Sequence, residues 1–258
     1  PAPAEWARYR ELVRSGLRAA DRVVAPSRYQ ADLVVENFGR LDVIVIHNGI
    51  DGHPAGAADV PAEPYDDGLI DGRRSDLTLS DDEPHQEPAV RDERPQADPH
   101  PPRLRLLMVG RAWDEAKGVP VLDEALVELG ENAPEAHLVG PLAPPGSSPT
   151  WHPRRLIWDG ELSRDETARR MAAADVYVAP SLYEPFGLAP VEAALDGCAL
   201  LLSDIGSFRE LWDGHAEFVE RGSATALADR IASLCRSPER VRHLAEAAQK
   251  RAVERFNA

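Results

Sequence analysis

The chain has 258 residues and a formal net charge of -15. That length allows one large domain or two smaller ones, and the acidic balance argues against a nucleic-acid partner. No apolar run approaches the roughly eighteen residues of a membrane span, so none is expected.

The N-terminal residues Pro1-Ala-Pro-Ala-Glu-Trp6 lack a basic region followed by an apolar one and do not read as a signal peptide. Residues Glu5 to Ala20 follow as an amphipathic helix with Trp6, Leu12, Val13 and Leu17 on its apolar face. Arg22-Val-Val-Ala25 reads as a short buried strand. Ser27 stands where an N-cap belongs, and a helix from Arg28 to Phe38 ends at Gly39. Val43-Ile-Val-Ile46 reads as a second buried strand, closed by Asn48-Gly49. One βα unit and a further strand are too little for a domain, so residues 1–51 are expected to be part of a second α/β domain.

Composition changes sharply from 52 to 102. This stretch holds thirteen Asp or Glu against four Arg, with nine prolines and few large apolar residues. It cannot bury enough surface to offset its ordering entropy and reads as an acidic, disordered linker. The Asp81-Asp82-Glu83 cluster follows no strand and does not read as a metal site.

From 103 to 258 buried strands alternate with helices. Strands are expected at Leu104–Val109, Ala136–Val139, Leu156–Trp158, Val176–Ala179, Ala199–Leu202 and Ala216–Val219. Helices are expected at Val119–Leu129, after Ser163 through Ala173, from Pro190 to Gly197, at Phe208–Trp212, Thr225–Cys235 and Pro238–Phe256. Such alternation specifies an α/β fold, a parallel sheet with helices on both faces. Ligands of these sheets bind at the carboxyl ends of the strands. The loops after Val109, Val139, Trp158, Pro180 and Leu202 therefore share one rim.

The most informative segment on that rim is Ser181-Leu-Tyr-Glu184-Pro-Phe-Gly187-Leu-Ala-Pro-Val-Glu192. A strand, a tight glycine turn and a helix present free backbone N–H groups, a ready site for phosphate. Glu184 and Glu192 on either side can accept hydrogen bonds from sugar or ribose hydroxyls. After the first strand of this half comes Gly110-Arg111-Ala-Trp-Asp-Glu-Ala-Lys117-Gly118. Arg111 and Lys117 leave that strand and enter the next helix, from which both could face a diphosphate on the Gly187 turn. Lys117 and Lys250 are the only lysines of a chain that otherwise uses arginine. A sparing of Lys117 fits a need for an ammonium there; an ordinary surface lysine is the alternative. Two carboxylates also fit a glycosidase, although one before the turn and one inside the helix suits a ligand clamp better.

Other chemistries find less support. His47, His137, His152 and His215 form no pair with helical ligand spacing, which argues against a bound metal. Cys198 and Cys235 lack ligand spacing too and read as thiols of a reducing, cytoplasmic compartment. No Gly-x-Ser-x-Gly and no Gly-x-Gly-x-x-Gly occurs, which counts against covalent catalysis at an elbow serine and against NAD or FAD.

Taken in order, these segments resemble glycosyltransferase family 4, the group 1 glycosyltransferases of GT-B fold. Glu184 to Glu192, with Phe186-Gly187-Leu188 inside it, is similar to that family's E-x7-E motif. Gly110-Arg111 with Lys117-Gly118 is similar to its phosphate-binding Arg/Lys element. His137-Leu-Val-Gly140 and Trp158-Asp-Gly160-Glu-Leu162-Ser163 resemble its strand ends around the nucleotide base. Ala20 to Ser27 and Val45 to Asp51 resemble the last segments of its N-terminal, acceptor-binding Rossmann-like domain.

The resemblance implies a retaining transfer of a glycosyl group from a nucleotide-diphosphate sugar, with no obligatory metal and no cofactor. It implies that Arg111 and Lys117 neutralise the departing diphosphate and that Glu184 contacts the transferred sugar. Gly187, Leu188 and Ala189 would bind phosphate and sugar hydroxyls beside Phe186, Glu192 the ribose, and Gly140 and Leu162 the base. The acceptor, a glycan, a lipid carrier or a small molecule, is left open, as is peripheral membrane association of a full-length enzyme. The chain begins shortly before the family's N-terminal domain ends, and it is expected to bind donor without transferring it. A non-catalytic nucleotide-sugar-binding module and a GT-B sugar-nucleotide epimerase are the competing readings.

Overall fold

A computed structural model describes residues 4–39, 42–50 and 104–256, with side chains from residue 7 onward. The expected acidic linker at 52–102 and the Trp6 side chain lie outside the described residues.

Helix α1 spans Ala4–Ala19. Leu12 is exposed, and Val13 and Leu17 are only half-buried, so the expected apolar face is not covered among the described residues. Strand β1 (Val23–Ala25) runs parallel to β2 (Val43–Val45) in a two-stranded sheet, with α2 (Arg28–Phe38) between them in sequence. The Ser27 hydroxyl accepts from the Gln30 N–H, and Gly39 at φ +95° ends the helix. The expectation of two buried strands needs correction. Val24 is 54 % exposed, Ile44 39 % and Ile46 56 %. These segments are apolar enough for a core, but burial also requires a neighbour, and α2 covers only one face.

The larger sheet contains β3 (Arg105–Val109), β4 (Glu135–Val139), β5 (Ile157–Gly160), β6 (Val176–Ala179), β7 (Ala199–Ser203) and β8 (Glu217–Val219). Its order is β5-β4-β3-β6-β7-β8, with every pair parallel. Successive side chains point to opposite faces, and both faces are covered. Leu106, Met108, Val178 and Leu201 pack with α3 (Val119–Leu129) and α7 (Ala224–Cys235). Leu107, Tyr177, Leu200 and Leu202 pack with α5 (Leu188–Leu195), α6 (Gly206–Trp212) and α8 (Pro238–Phe256). Each such leucine is worth about 1.5–3 kcal/mol on burial, so two continuous layers rather than single contacts fix the sheet. Helix α4 (Arg164–Ala173) starts at Ser163 with a reciprocal bond to Glu166.

Three boundaries move for local reasons. Helix α5 begins at Leu188 rather than Pro190, because a proline in the first turn forfeits no intrahelical bond. Helix α6 begins at Gly206, two residues before the expected Phe208. Strand β5 begins after Leu156, whose N–H donates instead to the buried Asp123 carboxylate at 3.0 Å, as do the N–H groups of Arg154 and Arg155.

Candidate active site

The strand order reverses beside β3. From β3 the sheet grows through β4 to β5 on one side, and then through β6, β7 and β8 on the other. The crevice at the carboxyl ends of β3 and β6 is the switch point where open α/β sheets hold ligands. A pocket of about 320 Å³ lies there, lined by Val109 at the end of β3, Ala179 at the end of β6, and the two loops that follow.

The loop after β3 delivers Lys117. Asp114 caps a short 3-10 turn, Glu115–Lys117, by accepting from the Ala116 N–H at 3.1 Å. Gly118 then turns the chain into α3 at φ +68°, and a Cβ there would overlap the Pro180 carbonyl oxygen. The Ala116 carbonyl accepts from the N–H groups of Leu182 (2.8 Å) and Tyr183 (3.3 Å), which stitches the loop after β3 to the loop after β6. Across this seam Lys117 Nζ donates to Glu184 Oε2 at 2.5 Å. Neither side chain is fully solvated, Lys117 being 26 % and Glu184 14 % exposed. The pair thus sits where Coulombic attraction exceeds that of a surface bridge.

The loop after β6 is anchored through its carbonyls. The Glu184 carbonyl accepts from the Ser207 hydroxyl, and the Pro185 carbonyl accepts from the Ser27 hydroxyl at 2.9 Å. Phe186 is buried, edge-on to Phe256 with ring centroids 5.7 Å apart. Gly187 is the N-cap of α5 at φ +91°, and a Cβ there would lie 2.9 Å from Phe208 Cε1. The first-turn N–H groups of α5 have no intrahelical acceptor. They face the pocket's end of the helix, where the dipole favours an anion.

The pocket therefore brings together Lys117, Glu184, Phe186, Gly187, Leu188 and Ala189. Four residues singled out in the sequence stand outside its lining. Arg111 donates to Asp114 Oδ2 at 2.6 Å, lies over the Trp113 ring at 5.2 Å, and is largely exposed. Glu192 is half-buried on α5. Gly140 ends β4 at φ +134°, where a Cβ would overlap the Gly110 carbonyl, and its own carbonyl accepts from Trp158 Nε1 at 2.8 Å. Leu162 follows β5 and packs against the core.

Sequence reasoning passed over Pro26 and Asn48, which line the same pocket from the N-terminal segment. It gave Ser27 a helix cap and a place in the Ala20 to Ser27 segment but no contact with the loop after β6, and it gave Ser207 no role. Contacts across such sequence distances leave no local signal. The resemblance sets His137 on a strand whose end lies beside the base. His137 lies mid-strand in β4, between Asp159 (Nδ1 to Oδ2, 3.0 Å) and Glu135 (Nε2 to Oε1, 2.7 Å). The hydrogen bond to Asp159, against the opposing effect of burial, raises its pKa above the usual imidazole range. Asp159 also pairs with Arg170 at 3.2 Å. Burial likewise pushes up the Tyr177 hydroxyl, which donates to the Val109 carbonyl at 3.2 Å and sits near the charges of Glu184 and Glu192.

An α/β sheet with an anion-favouring helix start at its switch point is a scaffold suited to an anionic ligand. Comparison with known proteins narrows the class. The family model described as glycosyl transferases group 1 matches residues 153–251, and that described as Glycosyltransferase Family 4 matches residues 2–52. Alpha-maltose-1-phosphate synthase of Mycolicibacterium smegmatis is 26% identical over 95% of this chain and 61% of its own length. MMP alpha-(1->4)-mannosyltransferase of Mycolicibacterium hassiacum is 33% identical over 60% of this chain and 40% of its own. The structure of Anabaena Alr3699/HepE in complex with UDP-glucose superposes with a TM-score of 0.68 at 19% identity, covering 96% of this chain and 63% of that one. Two stretches of the chain, residues 2–52 and 153–251, thus match models of family 4 and group 1 glycosyltransferases, and its fold is shared with GT-B glycosyltransferases. The chain spans 61% and 40% of the two curated relatives.

Proposed function

We propose that this chain binds a nucleotide-diphosphate sugar at the β3–β6 switch point and serves as the donor side of a retaining glycosyltransferase. The observation that carries the proposal is the Lys117–Glu184 pair, held at 2.5 Å across the seam between the two loops, beside the Gly187 helix start. Lys117 supplies positive charge to the diphosphate as it becomes the leaving group, with no divalent metal required. The amides that open α5 bind a phosphate oxygen. Glu184 accepts hydrogen bonds from the transferred sugar, and Glu192 from the ribose. Arg111 joins Lys117 by exchanging its Asp114 partner for phosphate, a rotation open to a side chain 54 % exposed. The base lies toward Gly140 and Leu162. That the Anabaena neighbour holds UDP-glucose supports a donor of this class. The acceptor remains a glycan, lipid carrier or small molecule, and the compartment proposed is the cytoplasm.

Titration calorimetry of the 258-residue chain with UDP-, GDP- and ADP-glucose tests the reading. One of them is expected to bind, and Lys117→Ala to weaken that binding by at least about tenfold, the equivalent of a charge-assisted hydrogen bond. Binding of none, or binding indifferent to Lys117→Ala, overturns the diphosphate assignment. An epimerase would instead release an epimerised sugar nucleotide, detectable by NMR.

A further inference from the structure

The loop from Glu184 to Gly187 is shaped by side chains that grip its carbonyls, and the two grips come from different parts of the chain. Ser207, on α6, donates to the Glu184 carbonyl, and Ser27 donates to the Pro185 carbonyl across 158 positions of sequence. Both serines are fully buried. Pro185 has no N–H, so its carbonyl is its only backbone hydrogen-bonding group. We propose that Ser27 is a positioning residue for the donor loop, through which the N-terminal segment sets the affinity for the nucleotide diphosphate. The role in affinity rests on the donor-binding reading above; the role in holding the loop does not.

The geometry makes Ser27 a fixed point. Its hydroxyl is used twice: the proton goes to Pro185, and the oxygen accepts from the Gln30 N–H at 3.1 Å. The start of α2 is itself locked onto α6. The Glu210 carboxylate accepts from the N–H groups of Arg28 (2.8 Å) and Tyr29 (2.7 Å), which satisfies first-turn donors that a helix cannot satisfy internally. The Tyr29 ring lies against Gly206, where any Cβ would overlap it. Helix α6 thus carries Ser207 directly and holds Ser27 indirectly, and the loop is clamped between them. Phe186 and Gly187 follow the clamped carbonyls immediately, so the start of α5 inherits their placement. Without the Ser27 proton, the carbonyl of the half-buried Pro185 loses its partner and the loop keeps one of its two side-chain anchors.

The test uses the full chain and two readouts. Amide hydrogen–deuterium exchange on the free protein compares wild type with Ser27→Ala and with Ser27→Gly, which largely retains the helix cap. Both variants are expected to speed exchange of the 191–193 amides, the first of α5 with intrahelical acceptors, and Ser27→Thr, which keeps the hydroxyl, to restore protection. Calorimetry with UDP, GDP and ADP is expected to show about fivefold weaker binding for Ser27→Ala and Ser27→Gly. Ser223→Ala, which removes the N-cap of α7, leaves both readouts at wild-type values. Unchanged protection of 191–193 in Ser27→Gly overturns the positioning role. Faster exchange with unchanged nucleotide affinity overturns the coupling to the donor. Faster exchange in a protein that binds no nucleotide leaves the loop anchor standing and sinks the donor reading instead.

Discussion

Gly187→Ala probes the site's backbone directly. The residue adopts φ +91° and ψ 74°, a conformation that costs an L-residue about 1–2 kcal/mol. The added methyl would lie 2.9 Å from Phe208 Cε1, 3.3 Å from Pro190 Cγ and 3.4 Å from Glu184 Cγ. Phe208 is fully buried and cannot swing into solvent. The loop cannot retreat freely, because the carbonyls of Glu184 and Pro185 are held by Ser207 and Ser27. Overpacking of this kind costs about 1–3 kcal/mol, for a total near 2–5 kcal/mol. Gly214 supplies the control, with φ +78° and no atom within 4 Å of an added Cβ. Gly214→Ala should therefore cost the backbone term alone, about 1–2 kcal/mol. Urea denaturation of both variants, analysed at a common m-value, should separate them by about 1–3 kcal/mol. Equal costs would show that the packing around the turn is looser than these distances require, and with it the claim that the loop is clamped.

Two further outcomes follow from buried charges. Asp123 is buried and accepts from the N–H groups of Arg154, Arg155 and Leu156; Asp123→Ala should destabilise the fold by about 2–4 kcal/mol in urea denaturation, and a loss under 1 kcal/mol, roughly one ordinary hydrogen bond, would contradict it. His137 has a folded pKa raised chiefly by Asp159 and, after the opposing burial, by Glu135. Its contribution is therefore complete below the unfolded value near 6.5 and is lost as pH rises through the raised folded value. Wild type should lose stability across that window relative to His137→Gln, and parallel pH profiles for the two would count against the assignment.

Local chemistry made most of the fold legible. Helices α3 and α4 run between the residues expected from Gly118, Leu129, Ser163 and Ala173, because caps and glycines are written in adjacent positions. Lys117, Glu184 and Gly187 could be placed on one rim because the alternation of strands and helices dictates which strand ends coincide. The conformation of Arg111 was not legible, since it is decided by Asp114 and Trp113 within an irregular loop. Nor was the exposure of Val24 and Ile46, because an apolar strand is buried only if something covers it. The clamp on Pro185 was invisible for a similar reason. Ser27 carries a complete local explanation as an N-cap, and nothing nearby in sequence signals its second bond.

On the proposed reading, the Lys117–Glu184 pair resolves a conflict that the composition creates. A chain of net charge -15 repels an anionic donor at long range, so affinity must come from short-range donors held in place before the ligand arrives. A lone ammonium at a partly buried position would be costly to keep charged. Glu184 balances that charge in the free site and holds the lysine at the pocket's wall. When a diphosphate takes up the ammonium, the carboxylate gains acceptor capacity toward hydroxyl groups of the sugar attached to it. One ion pair then prepares both halves of the donor site, and its geometry depends on the seam through the Ala116 carbonyl and on the loop clamped by Ser27 and Ser207. Moving either loop separates the pair, which makes donor binding depend on the backbone contacts of Ala116, Glu184 and Pro185, beside the groups that touch the donor.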